Sequence, residues 1–196
     1  GSLTNPTNVT NTLNTKQKRS GENTVALNTT KSYMDHLADA FLFSECKRWD
    51  VKGKNYFDYP NKYYCEDLGL RNARIGFRQQ EMTHIMENII YNELKMRGYN
   101  VDVGIVEYNT KDKDGRTKKI QLECDFVANL GNEKIYIQSA LDISSEKKKN
   151  QEENSLLRIN DSFKKMIIQK EKVIPHYDDN GIYIICLEDF LTGDVL

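Results

Sequence analysis

Three residues in this 196-residue chain combine type and spacing in a way that chemistry could use: Glu87, Asp125 and Gln138. Glu87 falls in a long helical pattern, at the border of its apolar stripe and eleven residues before Gly98. Asp125 lies mid-strand in the apolar context Cys-Asp-Phe-Val-Ala. A lone carboxylate in a strand normally faces solvent, so its identity decides little. Spacing decides more: Gln138 follows thirteen residues later and Ala140 two beyond that, and the period of two puts the last pair on one strand face. Glu123 shares the face of Asp125 by the same rule and could enrich an acidic pocket. A Gln carbonyl oxygen can ligate a hard cation, but more weakly than a carboxylate because it lacks a full negative charge. Ala140 can neither donate a hydrogen bond to water nor stabilise developing charge. Lys134 shares the strand face of Gln138 but lies about 13 Å away at strand rise, too far to bring its ammonium to this group.

The elements that must position these residues can be read from capping and periodicity. Asn5 before Pro6 is an N-cap and N1 pair for a first helix, with Val9 and Leu13 on one face. A second start signal stands at Asn28-Thr29, after which Tyr33, Leu37 and Phe41 recur every four residues, with Met34 and Ala38 beside them, as an amphipathic helix. CKRWDV and KNYFDY flank a Lys-Gly-Lys turn at residues 52 to 54 and read as a hairpin. Helix, helix and hairpin in that order form a partial winged helix over residues 1–60. In such a fold a helix can enter a major groove while the hairpin touches phosphates. Lys47, Arg48, Lys52 and Lys54 cluster on that hairpin and are the candidate nucleic-acid contacts.

From residue 61 the pattern alternates strands and helices to residue 196. KYYCE is a short strand and Asp67 caps a short helix. A long helix over about 80–97 carries Met82, Ile85, Met86, Ile89, Ile90 and Leu94 on one face and stops at Gly98. VDVGIVEY is a strand, KDKDGRTK a charged turn, and KIQLECDFVANL with EKIYIQSAL a hairpin around Leu130-Gly131-Asn132. A charged helix spans about 145–158, followed by strands at FKKMIIQ and GIYIICL. The expected fold is α/β, a mixed sheet flanked by helices.

Composition excludes several functions. The chain carries 28 basic and 29 acidic residues for a net charge of -1, which is neither a polycationic coat nor an acidic tail. Residues 1 to 60 nevertheless hold eight basic and six acidic residues, so DNA contact is better sought there. No apolar run approaches the roughly 20 residues that span a bilayer, and no signal-peptide pattern opens the chain. Cys46, Cys65, Cys124 and Cys186 lie far apart without zinc spacing and read as reduced thiols of a cytoplasmic protein. There is no phosphate loop, GxGxxG turn, GxSxG elbow or HExxH helix. His36, His84 and His176 show no triad spacing with a Ser or Cys.

A helix Glu, a strand Asp and, thirteen residues later, an acidic-x-Lys is the pattern of the PD-(D/E)xK nuclease superfamily, and the stretch from Glu87 through residue 141 resembles it. The resemblance implies a restriction-endonuclease-like domain over 61–196. In it Asp125 and the residue at 138 would hold Mg²⁺, and Glu87 would complete the shell. The sequence departs from an active nuclease at Gln138 and Ala140.

A longer resemblance covers nearly the whole chain. KYYCEDLGLRNARIG (residues 62 to 76), HIMENIIYNELKMRGYNV and ECDFVANLGNEKIYIQSA closely resemble the C-terminal region of a large bacterial and archaeal family of AAA+ ATPases. SLTNPTNVTNTLN and TTKSYMDHLADAFLF look like that family's winged-helix part, and Gln-x-Ala looks usual for it. The resemblance implies that ATP belongs to an N-terminal motor outside this chain. The expected function is a non-catalytic recognition module for that motor that binds DNA or a protein partner. The alternatives are a Mg-dependent DNA nuclease with a relocated lysine, and a docking or oligomerisation domain.

Overall fold

Asn5 and Pro6 start the first helix as their types predict. In the computed structural model of the chain, which describes residues 3–78, 81–112 and 114–193, the Asn5 side chain accepts a hydrogen bond from the Thr7 N–H at 2.9 Å. This helix, α1 (Pro6–Ser20), follows a short strand β1 (Leu3–Thr4) and precedes α2 (Leu27–Asp39). α2 begins one residue before the expected Asn28-Thr29 signal, and Ala26 at its N-cap gives no side-chain bond. Its expected apolar face is not a core face: Tyr33 is 57% and Phe41 80% exposed. Of that face Met34 and Ala38 do turn inward, together with Thr30 and Lys31, where α2 meets α1 and the next strand.

Next come β2 (Phe43–Cys46), β3 (Arg48–Asp50), β4 (Asn55–Tyr56) and β5 (Asn61–Cys65). β3 and β4 form the expected hairpin, with Trp49 opposite Tyr56. Asp50 Oδ1 accepts the Lys52 and Gly53 N–H groups at 3.0 and 2.9 Å, which closes the turn. Strand pairing crosses residue 60. β1 and β2 both pair with β5 in a three-stranded antiparallel sheet, and β3 pairs in parallel with β6 (Asn100–Lys111). The hairpin that resembles a wing is therefore the edge of the large sheet.

The remaining elements are α3 (Leu68–Arg74), α4 (Met82–Met96), β7 (Thr117–Leu130), β8 (Glu133–Ala140), α5 (Glu146–Leu157), β9 (Lys164–Gln169), β10 (His176–Tyr177), β11 (Tyr183–Cys186) and α6 (Leu187–Thr192). The eight-stranded sheet runs β10-β11-β9-β8-β7-β6-β3-β4 and is mixed, with β8, β9 and β11 parallel and β6, β7 and β8 antiparallel. The fold is thus a mixed α/β sheet flanked by helices. α4 and α6 cover one face through Met86, Ile90, Leu94 and Phe190. α5 covers the other through Leu156, against Val106, Cys124, Val127 and Tyr136. Each such fully buried side chain contributes about 1.5–3 kcal/mol.

α4 buries Met86, Ile90 and Leu94 of its expected stripe, together with Glu87, Asn88 and Tyr91, while Met82 is exposed and Ile85 and Ile89 are half-buried. It ends as its sequence predicts, with Gly98 at φ 88° and the Tyr99 N–H returning to the Leu94 carbonyl at 3.0 Å. The expected start at residue 80 lies outside the described residues. All four cysteines are free thiols. Among the described residues no helix is long and apolar enough to cross a membrane.

Candidate functional site

The site begins with how β5 is fixed to α4. The Asn88 side chain behaves like a strand neighbour: its Oδ1 accepts the Cys65 N–H at 2.9 Å and its amide donates to the Cys65 carbonyl at 2.8 Å. Asn92, one turn on, donates to the same carbonyl at 3.0 Å. Tyr64 stacks on Tyr91 with ring centroids 4.2 Å apart. These contacts set the register that brings Lys62 and Tyr64, on one strand face by the period of two, against Glu87. Tyr64 Oη and Lys62 Nζ both donate to Glu87 Oε1, each at 2.6 Å.

The opposite wall comes from an irregularity in the sheet. Between the Asp102–Val127 and Gly104–Cys124 pairs, β7 carries one residue more than β6. Such a bulge re-aims side chains. Cys124 stays in the α5 layer while Phe126 joins the α4 layer, with Asp125 between them at the bulge. Gly104 permits the close approach: a Cβ there would sit 2.8 Å from Val127 Cγ2 and 3.0 Å from Cys124 Cβ.

Three carboxylates then converge on one ammonium. Lys62 Nζ lies 2.6 Å from Glu87 Oε1, 2.6 Å from Glu123 Oε1 and 3.7 Å from Asp125 Oδ1, with the Lys62 side chain only 5% exposed. The far oxygen of Asp125, Oδ2, accepts the Ser139 N–H at 2.9 Å and the Ser139 hydroxyl at 2.8 Å. These groups line a cleft of 320 Å³ together with Leu3, Thr83, His84 and Gln138.

Electrostatics in the cleft are set by burial against that one cation. Burial alone would push Lys62 toward neutrality, but Asp125, Glu87 and Glu123 outweigh it and hold its pKa above the ordinary lysine value. For Glu87 burial is likewise overcome, by Lys62 and the bonds from Lys62 and Tyr64, so its pKa is lowered. Asp125 goes the other way: burial wins over Lys62, and Glu87 adds repulsion, so its pKa is raised. Glu152 on α5 is also raised, by burial and then by Asp125.

The structure brings together most of the residues that the sequence grouped. Glu87, Asp125 and Glu123 meet at Lys62, and Gln138 lines the same cleft. Ala140 packs in the α5 layer instead. Gln138 Oε1 accepts the Asp125 N–H and the Ser155 hydroxyl, both at 3.3 Å. Lys47, Arg48, Lys52 and Lys54 do not belong to this cleft. Lys47 sits over the Tyr56 ring and Arg48 over Phe57, Arg48 also reaches Gln121 Oε1 at 3.4 Å, and Lys52 donates to the Glu107 carbonyl at 2.9 Å. Lys54 is exposed on the turn.

Sequence reasoning missed Lys62, Tyr64 and Ser139. One signal was available: in Lys-Tyr-Tyr-Cys, alternation puts Lys62 on the face of Tyr64, and a lysine on the inner face of a strand needs an acid.

The residues do not fit the Mg²⁺ that the nuclease pattern implies. The point where the carboxylates converge is filled by the Lys62 ammonium, and the Gln138 oxygen already accepts two donors. Among the described residues no three His, Cys, Asp or Glu side chains are grouped so as to hold a metal ion.

No family model matches the chain. It is similar to an uncharacterized protein of Haemophilus influenzae, 33% identical over 191 residues, which is 97% of this chain and 42% of that protein. The chain therefore spans about two fifths (42%) of the length of the curated relative it matches.

Proposed function

We propose that this chain is a nucleic-acid recognition module on a PD-(D/E)xK nuclease-like scaffold that binds without cutting. One observation carries the reading. The Lys62 ammonium stands 2.6, 2.6 and 3.7 Å from Glu87, Glu123 and Asp125, so a side chain occupies the point among the carboxylates that a cutting enzyme would offer to a metal. The shape of a nuclease site is kept while its cation is built in. Gln138 supports the same reading, since it lacks the full charge of the acidic residue in an acidic-x-Lys motif. The Lys62 ammonium 3.7 Å from Asp125 is also what a nuclease with a relocated lysine needs, and the cleavage arm of the test below separates the two.

We place the module beside an AAA+ motor. The resemblance of residues 62 to 76 and the motifs after them supports this, and more than half of the Haemophilus influenzae relative lies outside the match. The motor would bind ATP, and this chain would supply contact with DNA.

The test is a DNA-binding titration at two salt concentrations, with plasmid incubated alongside in Mg²⁺ or Mn²⁺. The expected result is binding that weakens steeply with salt, as phosphate contacts require, and intact plasmid. Cutting that Asp125→Ala abolishes would establish a metal-dependent nuclease instead. Absence of salt-sensitive binding would leave a docking or oligomerisation domain.

A further inference from the structure

β6 and β7 are longer than the sheet that holds them. β3 pairs with β6 only at Val103, Gly104 and Ile105, and β8 pairs with β7 only from Phe126 to Leu130. Among the described residues, the two strands pair with each other alone from the Glu107–Gln121 pair to the Lys111–Thr117 pair. At strand rise those five pairs extend about 17 Å. Such a ribbon needs a reason for its length.

Its composition points to the reason. Residues 107 to 121 hold five basic residues against three acidic ones, in a chain whose net charge is -1. Two of the acids are used internally. Glu107 pairs with Lys119 and accepts from Gln121 Nε2 at 2.7 Å. Asp112 Oδ1 accepts the Asp114 and Arg116 N–H groups at 2.9 and 2.8 Å, closing the turn. Lys111, Arg116, Lys118 and Lys119 are exposed. Alternation puts Lys111 and Lys119 on the face of Glu123, which leads outward from the Lys62 cluster, and Lys118 on the other. Further cations brace the base: Arg48 and Lys52 as described, and Arg158 3.7 Å above the Tyr108 ring centre.

We propose that the β6–β7 ribbon is the DNA-binding element, lying in the major groove of a duplex with Lys111, Arg116 and Lys118 on phosphates. A major groove about 12 Å wide admits a two-stranded ribbon. The outer pairs carry Asn109, Thr110 and Thr117 rather than apolar side chains, a surface suited to base edges and phosphates and not to a protein core. The deep, narrow major groove of A-form RNA is closed to such a ribbon. This assignment rests on the recognition reading and moves its main contact away from Lys47 and Lys54.

The experiment is fluorescence anisotropy with a labelled DNA duplex of about 30 base pairs, titrated at about 50 and 200 mM salt, a range over which phosphate-driven binding changes strongly. Lys111→Ala/Arg116→Ala/Lys118→Ala is compared with Lys47→Ala/Lys54→Ala and with the unaltered chain. All five side chains are exposed, so circular dichroism and thermal midpoint should stay unchanged. We expect the triple variant to bind about tenfold or more weakly at low salt, with a salt slope shallower by roughly 2.7, which is about 0.9 for each phosphate no longer neutralised. The double variant should bind nearly as the unaltered chain does. If the triple variant binds like the unaltered chain, the ribbon assignment falls and the recognition reading stands. If the unaltered chain shows no salt-sensitive binding, both fall.

Discussion

Lys62 is the residue on which the acidic cleft depends. Removing it leaves Glu87, Glu123 and Asp125 without their shared counter-charge, and breaking a buried pair from one side costs about 3–5 kcal/mol. Lys62→Met should lower stability by that order in urea unfolding, and adding Glu87→Gln to it should recover part of the loss. The pH dependence has a definite sign. Glu87 is held below its ordinary value, so its contribution is present above about pH 4.3 and is lost as pH falls through the lowered value. Lys62 is held above its ordinary value, so its contribution persists through neutral pH and goes only as pH rises beyond about 10.4. Asp125, raised by burial, opposes Glu87: its share is present below about pH 3.9 and is lost as pH rises through its raised value. Stability measured from pH 3 to 7 should therefore rise less in Lys62→Met than in the unaltered chain, because Glu87 loses the charge that lowers its pKa. An equal rise would show that Lys62 does not set the Glu87 ionisation.

At the scale of elements, the bulge in β7 is what aims Asp125 at Lys62. Gly104→Ala would drive a Cβ to 2.8 Å from Val127 Cγ2 and 3.0 Å from Cys124 Cβ, and overpacking of this kind costs about 1–3 kcal/mol. The expected result is a lower thermal midpoint for Gly104→Ala. Leu37→Ser on the outer side of α2, where Leu37 is 41% exposed, should change stability by no more than about 0.5 kcal/mol. Leu94→Ala in α4, fully buried, should cost about 2–5 kcal/mol. Equal effects at Leu37 and Leu94 would contradict the placement of α2.

These elements also show what local sequence can carry. α4 was legible because its apolar period and its Gly98 stop are local, though its buried face also takes in Glu87, Asn88 and Tyr91 and leaves Met82 exposed. The β3–β4 hairpin was legible from its turn, but its parallel partner β6 is about fifty residues away and leaves no mark near the turn. The apolar period of α2 was legible, whereas the side of it that meets α1 and β2 is set by packing. Lys62 stayed hidden for the same reason: its partners are 25, 61 and 63 residues distant, and only a bulge with no sequence marker besides Gly104 brings two of them round.

For the whole molecule, the near-zero net charge conceals a division of labour. Inside the cleft one lysine meets three carboxylates, which leaves it formally negative, whereas basic residues outnumber acidic ones on the outward ribbon. The central claim is that Lys62 occupies the place of the metal, and Mn²⁺ binding followed by electron paramagnetic resonance tests it most directly. The account predicts that the unaltered chain takes up no more Mn²⁺ than Asp125→Asn does. One Mn²⁺ bound per chain, lost in Asp125→Asn and accompanied by DNA cutting, would contradict it.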